Sequence, residues 1–186
     1  MTSAGAITET TLLAATDAGM HALWNPSRFT GITDYETWER ALLEDGDIAQ
    51  RVQAGDLVPI NIGFDGARQF LVRIGTGDQV PALTSRERQY LLVSSQPYRY
   101  LSDGTAHLTG IEHIYADPGP DSPALTVPPG PSAVTIHLIE WDAEPGAKDA
   151  QGKPTPGALP DFVVLISPED TTDSPYRTRL QTFESA

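Results

Sequence analysis

The clearest pattern of apolar and polar positions lies in the last third of the chain. Ala133-Val-Thr-Ile-His-Leu-Ile-Glu-Trp141 is β-branched and aromatic, the composition that fits a pleated, buried surface, and Phe162-Val-Val-Leu-Ile166 is a second such run. Along the first, Thr135, His137, Ile139 and Trp141 project to one side and Val134, Ile136, Leu138 and Glu140 to the other. Both sides are largely apolar, which predicts a central strand covered on each face. The two runs read as paired strands joined by a long loop, 142–161, rich in Pro, Gly and acidic residues.

Upstream, strand-like runs alternate with turn signals. Residues 1–8 read as a polar tail. Thr10 to Ala15 and Met20 to Trp24 flank Thr16-Asp-Ala-Gly19, which predicts a hairpin. A helix is expected from Asp34 to Glu44. Thr33 stands three residues before Glu36, the spacing of a capping box, and Tyr35, Trp38, Ala41 and Leu42 share one face before Gly46 stops the helix. A shorter helix is expected from Asp47 to Ala54, closed by Gly55. Leu57–Ile62 and Gln69–Ile74 around Gly63-Phe-Asp-Gly66 predict a second hairpin, its first strand held to an edge by Pro59. Thr84 and Glu87 mark another helical turn, and Arg88–Val93 fits either its extension or a new strand. Tyr98–Leu101 and Thr105–Leu108 around Ser102-Asp-Gly104 predict a third hairpin. Ile111–Tyr115 reads as a short strand, Asp117–Pro131 as loop and Tyr176–Phe183 as a final edge strand. Strands outnumber helices. The expected fold is a β-rich α+β domain of antiparallel sheets, a sandwich or open barrel with one or two short helices, formed as one domain over 1–186.

Length and charge narrow the partners. A chain of 186 residues buries roughly 70% of its unfolded surface, enough for a core without staples. With no cysteine, disulfides, thiol catalysis and cysteine-ligated metals are excluded. No apolar run approaches the ~18 residues of a membrane helix, and Met1-Thr-Ser-Ala-Gly-Ala lacks the basic start of a signal peptide, so a cytoplasmic protein without a membrane role is expected. The net charge of −13 repels phosphate backbones, which argues against nucleic acid; it fits either a basic protein partner or a charge that simply keeps the chain soluble and apart from its neighbours. Only two of the twelve basic residues are lysine, Lys148 and Lys153, a bias expected of a GC-rich bacterial genome.

Candidate chemistry is sparse. Four histidines occur, His21, His107, His113 and His137. On one straight strand His107 and His113 stand about 20 Å apart, so they share an ion only if Gly110 bends the chain. No His-Glu-x-x-His, serine elbow, phosphate loop or complete calcium loop is present. No cofactor, catalytic residue or metal ligand is assigned. In the central strand His137 reads as a hydrogen-bonded core residue. The 142–161 loop, longer than a hairpin requires, is the foremost place to look for function. It carries Asp142, Glu144, Asp149 and Asp161, stiffened by Pro145, Pro154, Pro156 and Pro160, and reads either as an arm for a basic partner or as a solvated insertion. Tyr98 and Tyr100 share a strand face opposite Arg99, and that face is a binding surface if it is exposed.

Gly55-Asp-Leu, Gly63-Phe-Asp-Gly66, Val72-Arg-Ile, Pro128-Pro-Gly, Val134-Thr-Ile-His-Leu-Ile-Glu-Trp and Pro160-Asp-Phe-Val-Val-Leu together resemble small bacterial β-rich domains of unknown function, some akin to immunity factors of toxin systems. The resemblance spans 45–167, lies in turns and strands, and transfers no functional residue. It implies a soluble β-rich fold. The leading expectation is a non-enzymatic, macromolecule-binding domain of immunity-like or accessory kind. One alternative is a small-ligand or metal-dependent enzyme built from His107, His113, His137 and nearby carboxylates. Another is a subunit whose exposed strand edges pair in an oligomer.

Overall fold

The computed structural model describes residues 5–169 and 175–184. Two sheets face each other. The larger contains β1 (Ile7–Thr16), β4 (Gly66–Gly75), β10 (Phe162–Pro168), β9 (Gly130–Ile139) and β5 (Leu91–Ser94) in that order, with β6 (Tyr98–Ser102) pairing along the same side of β9 as β5. The smaller runs β3 (Leu57–Asn61), β2 (Met20–Trp24), β7 (Thr105–Gly110), β8 (Ala124–Thr126). Every pair is antiparallel except β4 with β10. The expected sandwich-like α+β class, the β9–β10 pairing and the central place of β9 are all present. Helices α1 (Tyr35–Leu42) and α2 (Asp45–Ala54) lie between β2 and β3 in the chain, and α3 (Ser85–Gln89) lies between β4 and β5.

The three predicted hairpins do not form. β1 pairs with β4 rather than β2; β3 pairs with β2 while β4 joins the other sheet; β6 and β7 likewise part into different sheets. The turn residues do reverse the chain, but a reversal between two buried strands serves equally as a corner from one layer to the other. Pro59 does lie on an edge strand, where its missing amide donor costs nothing. Ile7 and Thr8 of the expected tail belong to β1; residues 1–4 lie outside the described residues. Ile111–His113 is a 3₁₀ turn rather than a strand, and β8 interrupts the expected 117–131 loop. Over 175–184 there is no strand: Thr182 bridges Asn61, and Phe183 packs against Phe162 inside the core.

The helix starts follow from local hydrogen bonding. At α1 the capping box sits one residue later than expected, with Asp34 accepting from the Thr37 amide and Thr37 accepting from the Asp34 amide. At α3 it is the predicted Thr84–Glu87 pair. Gly55 closes α2 in the left-handed conformation; a Cβ there would also stand 2.9 Å from the Leu101 side chain, so glycine is required twice over.

Between the sheets Phe70, Val72, Val134, Ile136, Phe162 and Val164 meet Leu23, Val58, Ile60 and Leu108 in one continuous core. Tyr98 and Tyr100 are part of it. Both rings are fully buried, and their hydroxyls donate to the carbonyls of Arg179 and Thr105. The Tyr98–Tyr100 face is therefore interior, which corrects its expected role as a binding surface. Arg99 points the other way, half-buried, with its Nε 3.3 Å from Glu169.

The outer face of the larger sheet carries a second, smaller core of Leu83, Ile139, Leu159, Val163 and Leu165. Beside it Arg73 of β4 is buried against Glu87 of α3 in a bidentate pair (2.6 and 2.7 Å), with Glu9 of β1 accepting from its Nε at 2.8 Å. Glu87 also accepts from the Thr84 amide at 2.7 Å. Burial alone would raise the Glu87 carboxyl, but the hydrogen bonds from Arg73 and Thr84 hold it below the ordinary range. Removing one member of a buried pair strands the other charge. Glu87→Gln is therefore expected to lower stability by about 3 kcal/mol, read as the urea midpoint near neutral pH; an unchanged midpoint would show that Glu9 alone holds Arg73.

Candidate functional site

The 142–161 loop is folded down, not projected. Trp141 begins a 3₁₀ turn at the end of β9, and its indole donates to Asp161 at 3.1 Å; the other Asp161 oxygen accepts from the Gln69 amide at 2.8 Å. Both ends of the loop are thus pinned to β4. In the middle, Arg86 of α3 grips Glu144 through two bonds (2.7 and 2.5 Å) and donates to the Gly157 carbonyl at 2.7 Å, tying the two limbs together. The hydrogen bonds from Arg86 hold Glu144 below the ordinary carboxylate range. At the tip, Asp149 accepts from the amides of Gln151 and Lys153, Asp142 faces Lys148 at 3.3 Å, and Lys148 bridges Pro154. Ala147 and Leu159 are buried beneath it.

Each of the four acidic residues expected to engage a partner therefore has an internal role, and the loop is a lid over the outer core. Deleting its middle would expose Leu83, Val163 and Leu165, so such a deletion tests folding before it tests binding.

What the loop creates is a trough. Its floor is the outward face of β1 and β4, with Thr11, Leu13, Gln69 and Leu71, and its wall is the proline-rich limb from Pro154 to Pro160. Two depressions of about 630 and 480 Å³ share Gln69, Pro156, Ala158 and Leu159. A third of about 390 Å³ continues past Arg68, Trp141 and Asp161 to the end of the sandwich, where Phe64, Glu140, Asp142 and Phe183 line it. The Phe64 ring is about half exposed and carries the Arg68 guanidinium 4.8 Å from its centre. Glu140 makes no side-chain hydrogen bond or ion pair among the described residues. Three carboxylates against Arg68 and against Lys148, which pairs with Asp142, leave this end negative, and two aromatic rings give it flat apolar sides. Such a site suits a guanidinium or ammonium group, held by charge-assisted bonds and by the ring faces.

Asp142 and Asp161 come together here; Glu144 and Asp149 stand in the lid. Glu140, Trp141, Phe64 and Arg68 were not singled out for this site. They come from two separate stretches of the chain, and no local spacing in the sequence brings them together.

The histidines do not converge. His107 lies in β7 with Nδ1 2.8 Å from Ser122 Oγ and its ring against Trp24. His113 is exposed beside Glu112. His137 lies on the outer face of β9, with Nδ1 2.8 Å from Ser94 Oγ and Nε2 3.0 Å from Thr135 Oγ1. Among the described residues no three His, Asp or Glu side chains are placed to hold a metal ion. Among the described residues no carboxylate bonds either imidazole of the two Ser–His pairs, as one would to orient a catalytic ring. His137 is the hydrogen-bonded core residue its strand predicted.

The fold and trough define a two-sheet α+β module with an acidic, aromatic-walled surface site. No family model matches the chain, and no curated protein matches it. Among solved structures it is similar to one titled crocagin biosynthetic gene J, at 17% identity and a TM-score of 0.55, covering 90% of this chain and 100% of that one. A looser likeness, at 9% identity and a TM-score of 0.47, is to ComJ, inhibitor of the DNA degrading activity of NucA, from Bacillus subtilis; it covers 88% of this chain and 99% of that one. The first likeness is one of fold. Among the described residues no helix is long and apolar enough to cross a membrane.

Burial lowers the pKa of His21, His107 and His137 below 6.5. Below that value the unfolded chain takes up protons that the folded chain refuses, so stability falls as pH drops through and below about 6.5, by at most ~1.4 kcal/mol per pH unit per histidine. The urea midpoint is expected to fall between about pH 7.5 and 5.5, and His137→Asn to flatten that dependence. A midpoint independent of pH in the wild type would contradict it.

Proposed function

We propose that the protein is a non-enzymatic binding module for a basic macromolecule, a protein by its chemistry, and that a cationic side chain of that partner enters the negative end of the trough. The observation that carries this reading is the grouping of Glu140, Asp142 and Asp161 around Trp141 and Phe64. The net charge of −13 supports it, because an acidic chain gathers basic partners and speeds their encounter. The tied-down loop supports it as well: a wall that is ordered before binding loses little entropy on binding. A cytoplasmic, bacterial, immunity-like or accessory role is part of the same proposal and rests on composition and on the resemblance of the strand and turn segments.

Pull-down with the tagged protein at low and high salt tests the idea, with three variants in parallel. A basic partner is expected at low salt and is expected to leave at high salt. Glu140→Gln with Asp142→Asn, or Trp141→Ala, is expected to weaken it at least tenfold, about 1.4 kcal/mol. Asp149→Asn, on the far side of the lid, is expected to have no such effect. A partner that binds all variants alike would remove the trough from the function.

A further inference from the structure

Most sheet edges in this protein are blunted. β3 carries Pro59 and is bridged by Thr182; β6 is covered by Gly55, whose carbonyl accepts from the Leu101 amide, while the neighbouring Pro97 carbonyl accepts from the Arg177 amide; β8 has three residues. β1 is different. It is ten residues long, forms the end of the larger sheet, and contains no proline, lysine or arginine. Among the described residues no backbone hydrogen bond reaches its outer side between Ile7 and Leu13. A long, unprotected edge is a template for another strand.

The direction of its free groups can be read from its neighbours. The Thr76 amide donates to the Ala6 carbonyl directly opposite, so the even-numbered residues make the bonds to β4. The Gln69 amide, opposite Leu13, turns away from β1 to Asp161, which fixes the same parity. Ile7, Glu9, Thr11 and Leu13 therefore present their N–H and C=O to the open side. Their side chains lie on the outer face, and Ile7 and Leu13 are 44% and 71% exposed, unusual for their type.

We infer that β1 is a self-association edge, and that its occupant is β1 of a second copy, antiparallel across a two-fold axis at Thr10. Three observations select this partner and this register. Glu9 is the one charged residue on the strand and is already bonded to Arg73, so the edge has nothing to draw a basic strand and accepts a neutral one. Centring on Thr10 sets Ile7 opposite Leu13 of the other copy, and Glu9 opposite Thr11, with the outward amides in bonding pairs. Centring on Glu9 would set two carboxylates face to face, and shifting toward Ala15 meets Gly110, packed against the Ala15 carbonyl. The paired stretch, about 23 Å long and about 10 Å deep, buries on the order of 500–1,000 Å² in total, below a standard interface of about 1,600 Å². The dimer is accordingly weak and concentration-dependent, and two chains of −13 make it stronger at high salt. That sign is opposite to the one expected for a basic partner in the trough, so the two ideas fail separately.

Sedimentation equilibrium from low micromolar to millimolar protein, at low and high salt, reads the association directly. The wild type is expected to dimerise with concentration, and more so at high salt. Thr11→Pro removes an outward amide without touching the β4 ladder, and Leu13→Lys places a charge on the edge; each is expected to leave a folded monomer. The cysteine-free chain allows a register test. Thr10→Cys would lie beside its own copy and is expected to form an intermolecular disulfide on mild oxidation, while Thr8→Cys, opposite Leu12, is not. A wild type that stays monomeric at millimolar concentration in high salt, a dimer that survives both edge variants, or Thr10→Cys linking no faster than Thr8→Cys would overturn the inference.

Discussion

The outer half of this protein hangs on one buried ion pair. Arg73 enters the face of the larger sheet as a buried charge, and Glu87 answers it with both oxygens while the same carboxylate caps α3 through the Thr84 amide. That fixes a helix too short to be stable by itself. The fixed helix presents Arg86, and Arg86 gathers Glu144 and the Gly157 carbonyl. The loop so gathered covers the second core and becomes the wall of the trough. A fully apolar Met–Leu contact at 73 and 87 would serve stability as well or better, but would not cap α3.

The lid also explains how a strongly acidic loop stays folded. Its carboxylates are dispersed onto separate partners: Lys148, Arg86, backbone amides at the tip, and the Trp141 indole with the Gln69 amide. Repulsion is thereby traded for local structure, and the negative potential that remains is concentrated where Glu140 joins Asp142 and Asp161. The site owes its sign to Glu140, the carboxylate of its lining that has no internal partner among the described residues.

Strands, helix starts and the central position of β9 were legible because each is written within a few residues: alternation, capping spacing, a run of β-branched side chains. Sheet membership was not. Gly63-Phe-Asp-Gly66 and Ser102-Asp-Gly104 dictate that the chain turns, and nothing local tells a hairpin from a corner. Tyr98 and Tyr100 illustrate a signal that was present and underused, since the charge of Arg99 between them already marks the opposite face as the outer one. Asp142 and Asp161 of the candidate site were named from the loop alone. Glu140, Phe64 and Arg68 were not, because their proximity depends on β4 crossing to lie beside β10, a long-range pairing that no spacing encodes.

The place of β10 has a consequence for how the molecule comes into being. β10 is inserted between β4 and β9, parallel to one and antiparallel to the other, and it is the last strand in the chain order of either sheet. A nascent chain that has reached residue 160 can hold β1 on β4, and β5 and β6 on β9, yet these two halves have no common strand until Phe162–Pro168 emerges. The larger sheet therefore closes only once β10 has been made, across some ninety residues of separation on the β4 side, a loop closure that slows assembly. Until then two apolar inner edges wait unpaired, and the period of greatest risk for misassembly is the interval before β10 has emerged and docked.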